Sequence, residues 1–127
     1  MNKMMLDASA LLAYLRGEPG SEIVPATTGE AAISAVNYAE VVSVLTARGM
    51  PAASVRRQLS RIVLEIVTFG HASAEAAGLL IEKTKPFGLS LGDRACLAEA
   101  SLAGVPALTA DHAWRGLDIG VPIQFIR

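Results

Sequence analysis

Lys3-Met4-Met5-Leu6-Asp7 is a short apolar run that ends on an acid and passes at once into a helical stretch over residues 8–15. Turn chemistry at Gly17-Glu18-Pro19-Gly20 closes that helix. The same unit recurs along the chain. Ala31-Ala32-Ile33-Ser34 reads as a second strand and leads into a helix over 37–48, stopped by Gly49 and Pro51. Between them Ser21 opens a short second helix, broken by Pro25 and the Thr27-Thr28-Gly29 loop.

Outward from there, Val55, Leu59, Ile62 and Val63 follow the i, i+4, i+7, i+8 spacing of an amphipathic helix, which is expected over 53–64. Ile66-Val67-Thr68-Phe69 is the expected third strand, followed by a helix over 72–84 that ends before Pro86. Ser90 starts a helix running to Ala103 and closed by Gly104. A fourth strand is expected over 106–109, a helical turn over 111–117 and a closing strand over 121–126. Short apolar strands alternating with helices of about a dozen residues describe an α/β fold with a central, mainly parallel sheet. The chain shows no internal repeat, low-complexity segment or linker, so one domain spanning 1–127 is expected.

Composition narrows the class. At 52% hydrophobic and 18% charged, the 127 residues have the makings of a well-filled core and exclude a disordered chain. So much apolar surface on a short chain also predicts a buried subunit or partner interface. No apolar run approaches the roughly 20 residues of a membrane helix, and Asp7 interrupts the only apolar stretch that resembles a leader. The single cysteine, Cys96, has no internal disulfide partner, and the expected compartment is the cytoplasm. A net charge of −1 means that nucleic acid must be met by a local basic patch or through a metal ion that neutralises an acidic site.

In open α/β sheets ligands gather beyond the carboxyl ends of the strands. Four acids fall there: Asp7 after the first strand, Glu40 near the start of the helix after the second, Asp93 in the first turn of its helix, and Asp111 two residues past the fourth strand. Each has a plainer role available. Asp7 and Asp111 suit helix N-caps, Ser90-Leu91-Gly92-Asp93 fits a capping box, and Glu40 suits a solvated helix. Their neighbours argue for more. Asp93 shares its helical face with Cys96, Leu97 and Ala100, and no residue three or four places from Glu40 offers it a salt bridge. Only Asp111 has a local basic partner, Arg115. Carboxylates bordering a core need a cation or a proton to compensate them. Oxygen donors without clustered cysteine or histidine favour Mg²⁺, with Mn²⁺ as a substitute. No G-x-S-x-G elbow, P-loop or G-x-G-x-x-G is present.

Several residues leave two readings open. His112 is a surface residue or a phosphate contact. Arg56, Arg57 and Arg61 form either a solvated helix edge or a contact for RNA or a protein partner. Trp114 suits the core better than base stacking, and Cys96 suits the core.

Four stretches, in order, resemble the PIN-domain family, specifically the VapC-type toxin ribonucleases of toxin–antitoxin pairs. They are Leu6-Asp7-Ala8-Ser9-Ala10-Leu11-Leu12, Ser34-Ala35-Val36-Asn37-Tyr38-Ala39-Glu40-Val41, Leu89-Ser90-Leu91-Gly92-Asp93-Arg94-Ala95-Cys96-Leu97-Ala98 and Leu108-Thr109-Ala110-Asp111-His112-Ala113-Trp114. The resemblance implies a three-layer α/β/α sandwich, Mg²⁺-dependent cleavage of RNA, a homodimer, and a small antitoxin that wraps the toxin, with DNA met only through that antitoxin. It implies Asp7 and Asp93 as primary metal ligands and Glu40 and Asp111 as the acids that complete the site, with Ser9 and Thr109 in support. Two alternatives remain at this level: a PIN-like binding module acting in a DNA-binding repressor complex, and a metal-dependent DNA nuclease.

Overall fold

A computed structural model describes residues 3–127, so the first two residues of the expected domain lie outside it. Five strands form one sheet in the order β3-β2-β1-β4-β5: β1 (Met4–Leu6), β2 (Ala31–Ser34), β3 (Leu64–Val67), β4 (Ala107–Thr109) and β5 (Ile123–Phe125). Every pairing is parallel, with Leu6 beside Ile33 on one side and beside Leu108 on the other.

Successive side chains of a strand point to opposite faces, and that alternation builds the layers. Leu6, Ala31, Ile33 and Leu108 enter one core, under α1 (Ala8–Arg16), α2 (Ala35–Ala47) and α3 (Ala52–Ser60). Met5, Ala32 and Ala107 enter a second core with Cys96, Leu97, Ala100 and Trp114, under α6 (Leu91–Ala103) and the 3₁₀ turn His112–Trp114. The outer helices α4 (His71–Leu79) and α5 (Ile81–Thr84) complete the second layer, with α4 packed on α6. The result is a three-layer α/β/α sandwich. Its strand order reverses between β1 and β4, because the chain winds outward one way through β1, β2 and β3 and then returns to place β4 on the other side of β1.

Several expected boundaries shift. The amphipathic helix stops at Ser60, and Leu64 belongs to β3, which therefore starts two residues before the expected 66–69. Parallel pairing of Leu64 with Ala31 and Val67 with Ser34 decides this, while Ile62 stays in the core from a turn and so prolongs the helical pattern past the helix. The helix expected over 72–84 starts at His71 and breaks at Leu80 into α4 and α5. A 3₁₀ turn, Lys85–Phe87, then leads to α6. Ser21–Ile23 and His112–Trp114 are single 3₁₀ turns rather than α-helical pieces, and β4 and β5 are shorter than expected. α2 begins at Ala35, two residues early, because the Ser34 hydroxyl caps it by accepting from the Val36 N–H. α1 and α6 stop where the sequence says, on Gly17 and Gly104, both left-handed at φ 64° and 68°.

Candidate active site at the strand reversal

Asp7 leaves the carboxyl end of β1 at the reversal point. It caps α1 with Oδ1, which accepts from the Ala10 N–H at 2.8 Å and from the Ser9 hydroxyl at 2.7 Å. The Thr109 hydroxyl, from the end of neighbouring β4, donates to Oδ2 at 2.5 Å. Thr109 Oγ1 in turn accepts from the Asp111 N–H at 3.0 Å, and Ser9 Oγ accepts from the Ala110 N–H at 2.9 Å. Two hydroxyls thus stitch the first and fourth motifs together across adjacent strands, a link of sequence separation near one hundred.

Asp7 is only 3% exposed. Burial pushes its carboxyl up to about 6, against the hydrogen bonds from Thr109, Ala10 and Ser9, and the charge of Asp93 adds to the rise. Glu40 is also raised, by burial first and again by Asp93, with the Asn37 amide opposing. The charge of Asp93, in the first turn of α6, thus acts on both Asp7 and Glu40. The combined charge of these three acids, with Glu99, also raises the buried Cys96 thiol, after burial itself.

Asp93 sits in a capping box. Its Oδ2 accepts from the Ser90 N–H at 2.9 Å, while Ser90 Oγ accepts from the Asp93 N–H. Glu40 lies in the second turn of α2, because the helix starts two residues earlier than expected, and its Oε1 accepts from Asn37 Nδ2 at 2.9 Å. The Asp111 carboxylate caps the 3₁₀ turn by accepting from the Ala113 N–H, and it is the Asp111 backbone N–H, not the side chain, that meets Thr109. Arg115 is not its partner: the guanidinium lies over the Phe125 ring, 5.4 Å from its centroid.

None of the ion pairs among the described residues involves Asp7, Glu40, Asp93 or Asp111. The donor set is carboxylate and hydroxyl oxygen, with one buried acid uncompensated by any cation. No three His, Cys, Asp or Glu side chains among the described residues close into a finished metal cage. The oxygen donor set by itself suits a hard divalent cation.

The secondary candidates separate. Trp114 is buried in the second core, which removes it as a base-stacking platform. His112 is exposed, but its Nε2 meets the terminal Arg127 carbonyl at 2.7 Å and its ring packs edge-on to Phe125. Arg56, Arg57 and Arg61 are exposed on and just after α3. Two residues of the site neighbourhood had no role from sequence, Asn37 and Gly92. The signal for Asn37 is a poor helix former placed three residues before Glu40, on the same helical face.

The profile of the PIN domain family matches residues 4–119. No curated protein sequence matches the chain at a significant level. Among solved structures, a toxin–antitoxin complex from Klebsiella pneumoniae superposes with a TM-score of 0.73 at 20% identity, covering 98% of each chain. A DNA-bound VapBC complex from Salmonella typhimurium gives 0.74 at 20% identity over 100% of each chain. A VapBC complex from Rickettsia felis, bound to a fragment of its promoter, gives 0.72 at 17%, covering 96% of this chain and 97% of that one. At such identities the likeness concerns the fold.

Proposed function

The chain belongs to the PIN-domain family, and from that premise we propose that it is a Mg²⁺-dependent endoribonuclease, the toxin of a toxin–antitoxin pair. PIN domains are nucleases that work with divalent metal ions, so hydrolysis of phosphodiester bonds is the reaction class. The observation that supports the finer reading is the approach of Asp93 to both the buried Asp7 and Glu40, with the backbone of Asp111 held beside Asp7 by the Thr109 hydroxyl.

In this reading Asp7 and Asp93 hold the ion, and Glu40 and Asp111 complete the acidic site. Bound Mg²⁺ supplies charge neutralisation at the phosphate and a more acidic water. The protein's own groups do the rest. Ser9, Thr109 and the Ala10 N–H fix both Asp7 oxygens, so the ligand is oriented before anything binds. Glu40 keeps Oε2 outside its bond with Asn37, and this oxygen is the candidate proton acceptor for the attacking water.

The partner is a small antitoxin. The likeness in fold to toxin–antitoxin complexes supports it, and so do the individually exposed leucines Leu79 (73% exposed), Leu102 and Leu91. The proposed assembly is a homodimer, with DNA met only through the antitoxin. No helix among the described residues is long and apolar enough to cross a membrane, and we place the protein in the cytoplasm.

Incubation with RNA and with DNA, each with and without EDTA, tests the assignment. RNA should be cut internally, EDTA should stop the reaction, and Mg²⁺ or Mn²⁺ should restore it. Undiminished cleavage in excess chelator overturns the mechanism, and cleavage of DNA alone overturns the substrate.

A further inference from the structure

Glu40 reaches the site from α2, whereas the acid it faces, Asp93, belongs to α6. What holds a flexible glutamate in place across that gap is visible in two residues. Asn37 is 1% exposed, on the first turn of α2. Its Nδ2 donates twice, to Glu40 Oε1 at 2.9 Å and to the Gly92 carbonyl at 3.0 Å. Both partners are acceptors, so only one orientation of the amide serves them. Its Oδ1 is left buried without a protein partner, so the amide is held in place by its two donated bonds alone.

Gly92 supplies the other half. It lies inside the first turn of α6, where glycine is a poor choice for helix stability. A Cβ there would stand 2.5 Å from both carboxyl oxygens of Glu40 and 2.7 Å from its Cδ. The missing side chain is therefore the seat of the Glu40 carboxyl group. The same peptide's carbonyl is the second acceptor of Asn37.

We propose that Asn37 and Gly92 are positioning residues that clamp the Glu40 carboxylate against the first turn of α6, beside Asp93. Neither touches the substrate. The clamp restricts Glu40 to one rotamer, leaves Oε2 available, and fixes the distance between the two helices that carry site acids. Its role in the reaction rests on the nuclease reading above, but the clamp itself does not.

A double-mutant cycle separates the two. Gly92→Ala should lower the melting temperature of the otherwise unchanged chain. In a Glu40→Ala background the obstructing carboxylate is gone, and the same substitution should raise the melting temperature, because alanine is the better helix residue. A penalty of the same size in both backgrounds overturns the clamp. Mn²⁺ titration by calorimetry reads the functional half: Asn37→Ala should weaken binding by about 10–100-fold. Cleavage should fall by a similar factor, in kcat more than in KM. Asn37→Ser, which keeps a short donor, should recover part of both losses. If Asn37→Ala binds Mn²⁺ as tightly as the parent, Asn37 is not a positioning residue. If the parent cuts no RNA while the melting cycle shows the predicted sign change, the clamp stands and the nuclease reading falls.

Discussion

Two carboxylates are each 3% exposed in this protein, Asp7 at the strand reversal and Glu99 between α4 and α6. Each accepts from a hydroxyl, neither is among the ion pairs found in the described residues, and burial raises the pKa of both. Their surroundings differ. Glu99 has one bond, from Ser73 Oγ at 2.8 Å, and its Oε2 has no partner. It is an acid in the contact between α4 and α6, with Ser73 as its one hydrogen-bond partner. Asp7 has every hydrogen bond its position offers from three residues and still feels another acid. Burial alone does not distinguish the two; the proposed site rests instead on acids approaching from different elements, with both oxygens of one held rigid.

The sharpest way to break that contrast is a pair of isosteric amides. Asp7→Asn should reduce metal-dependent cleavage by at least about 100-fold, since even outer-shell partners of a metal ligand are worth about 10–100-fold. Glu99→Gln should leave the rate within about twofold. Equal losses in the two variants would erase the distinction between the regions.

A smaller effect concerns stability without metal. Asp7 titrates near 6 when folded and near 3.8 as a free side chain. Between those values the folded state holds the extra proton, so raising the pH through this window removes stability. The loss is about 3 kcal/mol at the upper bound of that shift, complete above the folded value and absent below about pH 4. Denaturant unfolding in EDTA at pH 4.5 and 7.5 should show the decline, and Asp7→Asn should flatten it. Glu99 contributes with the same sign, so Glu99→Gln should remove a further part. If the parent is as stable at pH 7.5 as at pH 4.5, the uncompensated burial of Asp7 is wrong.

The smallest effect belongs to Asp93. Asparagine there can still accept from the Ser90 N–H, and it relieves repulsion of Asp7 and Glu40. Asp93→Asn should therefore gain about 1 kcal/mol in EDTA. In Mg²⁺ the parent should gain stability by mass action and the variant much less. Thermal melts in both buffers check it; identical metal responses would mean that Asp93 is a capping residue alone.

The alternation of short apolar strands with helices, the stops at Gly17 and Gly104, and the acids near strand ends are all legible in the order of residues. These are local signals: period, cap and turn chemistry act over a few residues and are written where they act. That order also made Asp7, Glu40, Asp93 and Asp111 the candidates, because an acid at a strand end or near a helix start is visible in one dimension. Tertiary structure alone decided the rest. The start of β3 depends on pairing with β2, across a gap that helical periodicity runs straight through. The roles of Ser9 and Thr109 as one hydroxyl bridge exist only because β1 and β4 are neighbours at the reversal. Arg115 was beside Asp111 in the chain and is beside Phe125 in space. The fit of Gly92 to Glu40 joins residues fifty-two positions apart, and steric exclusion between two helices leaves no trace in the periodicity of either.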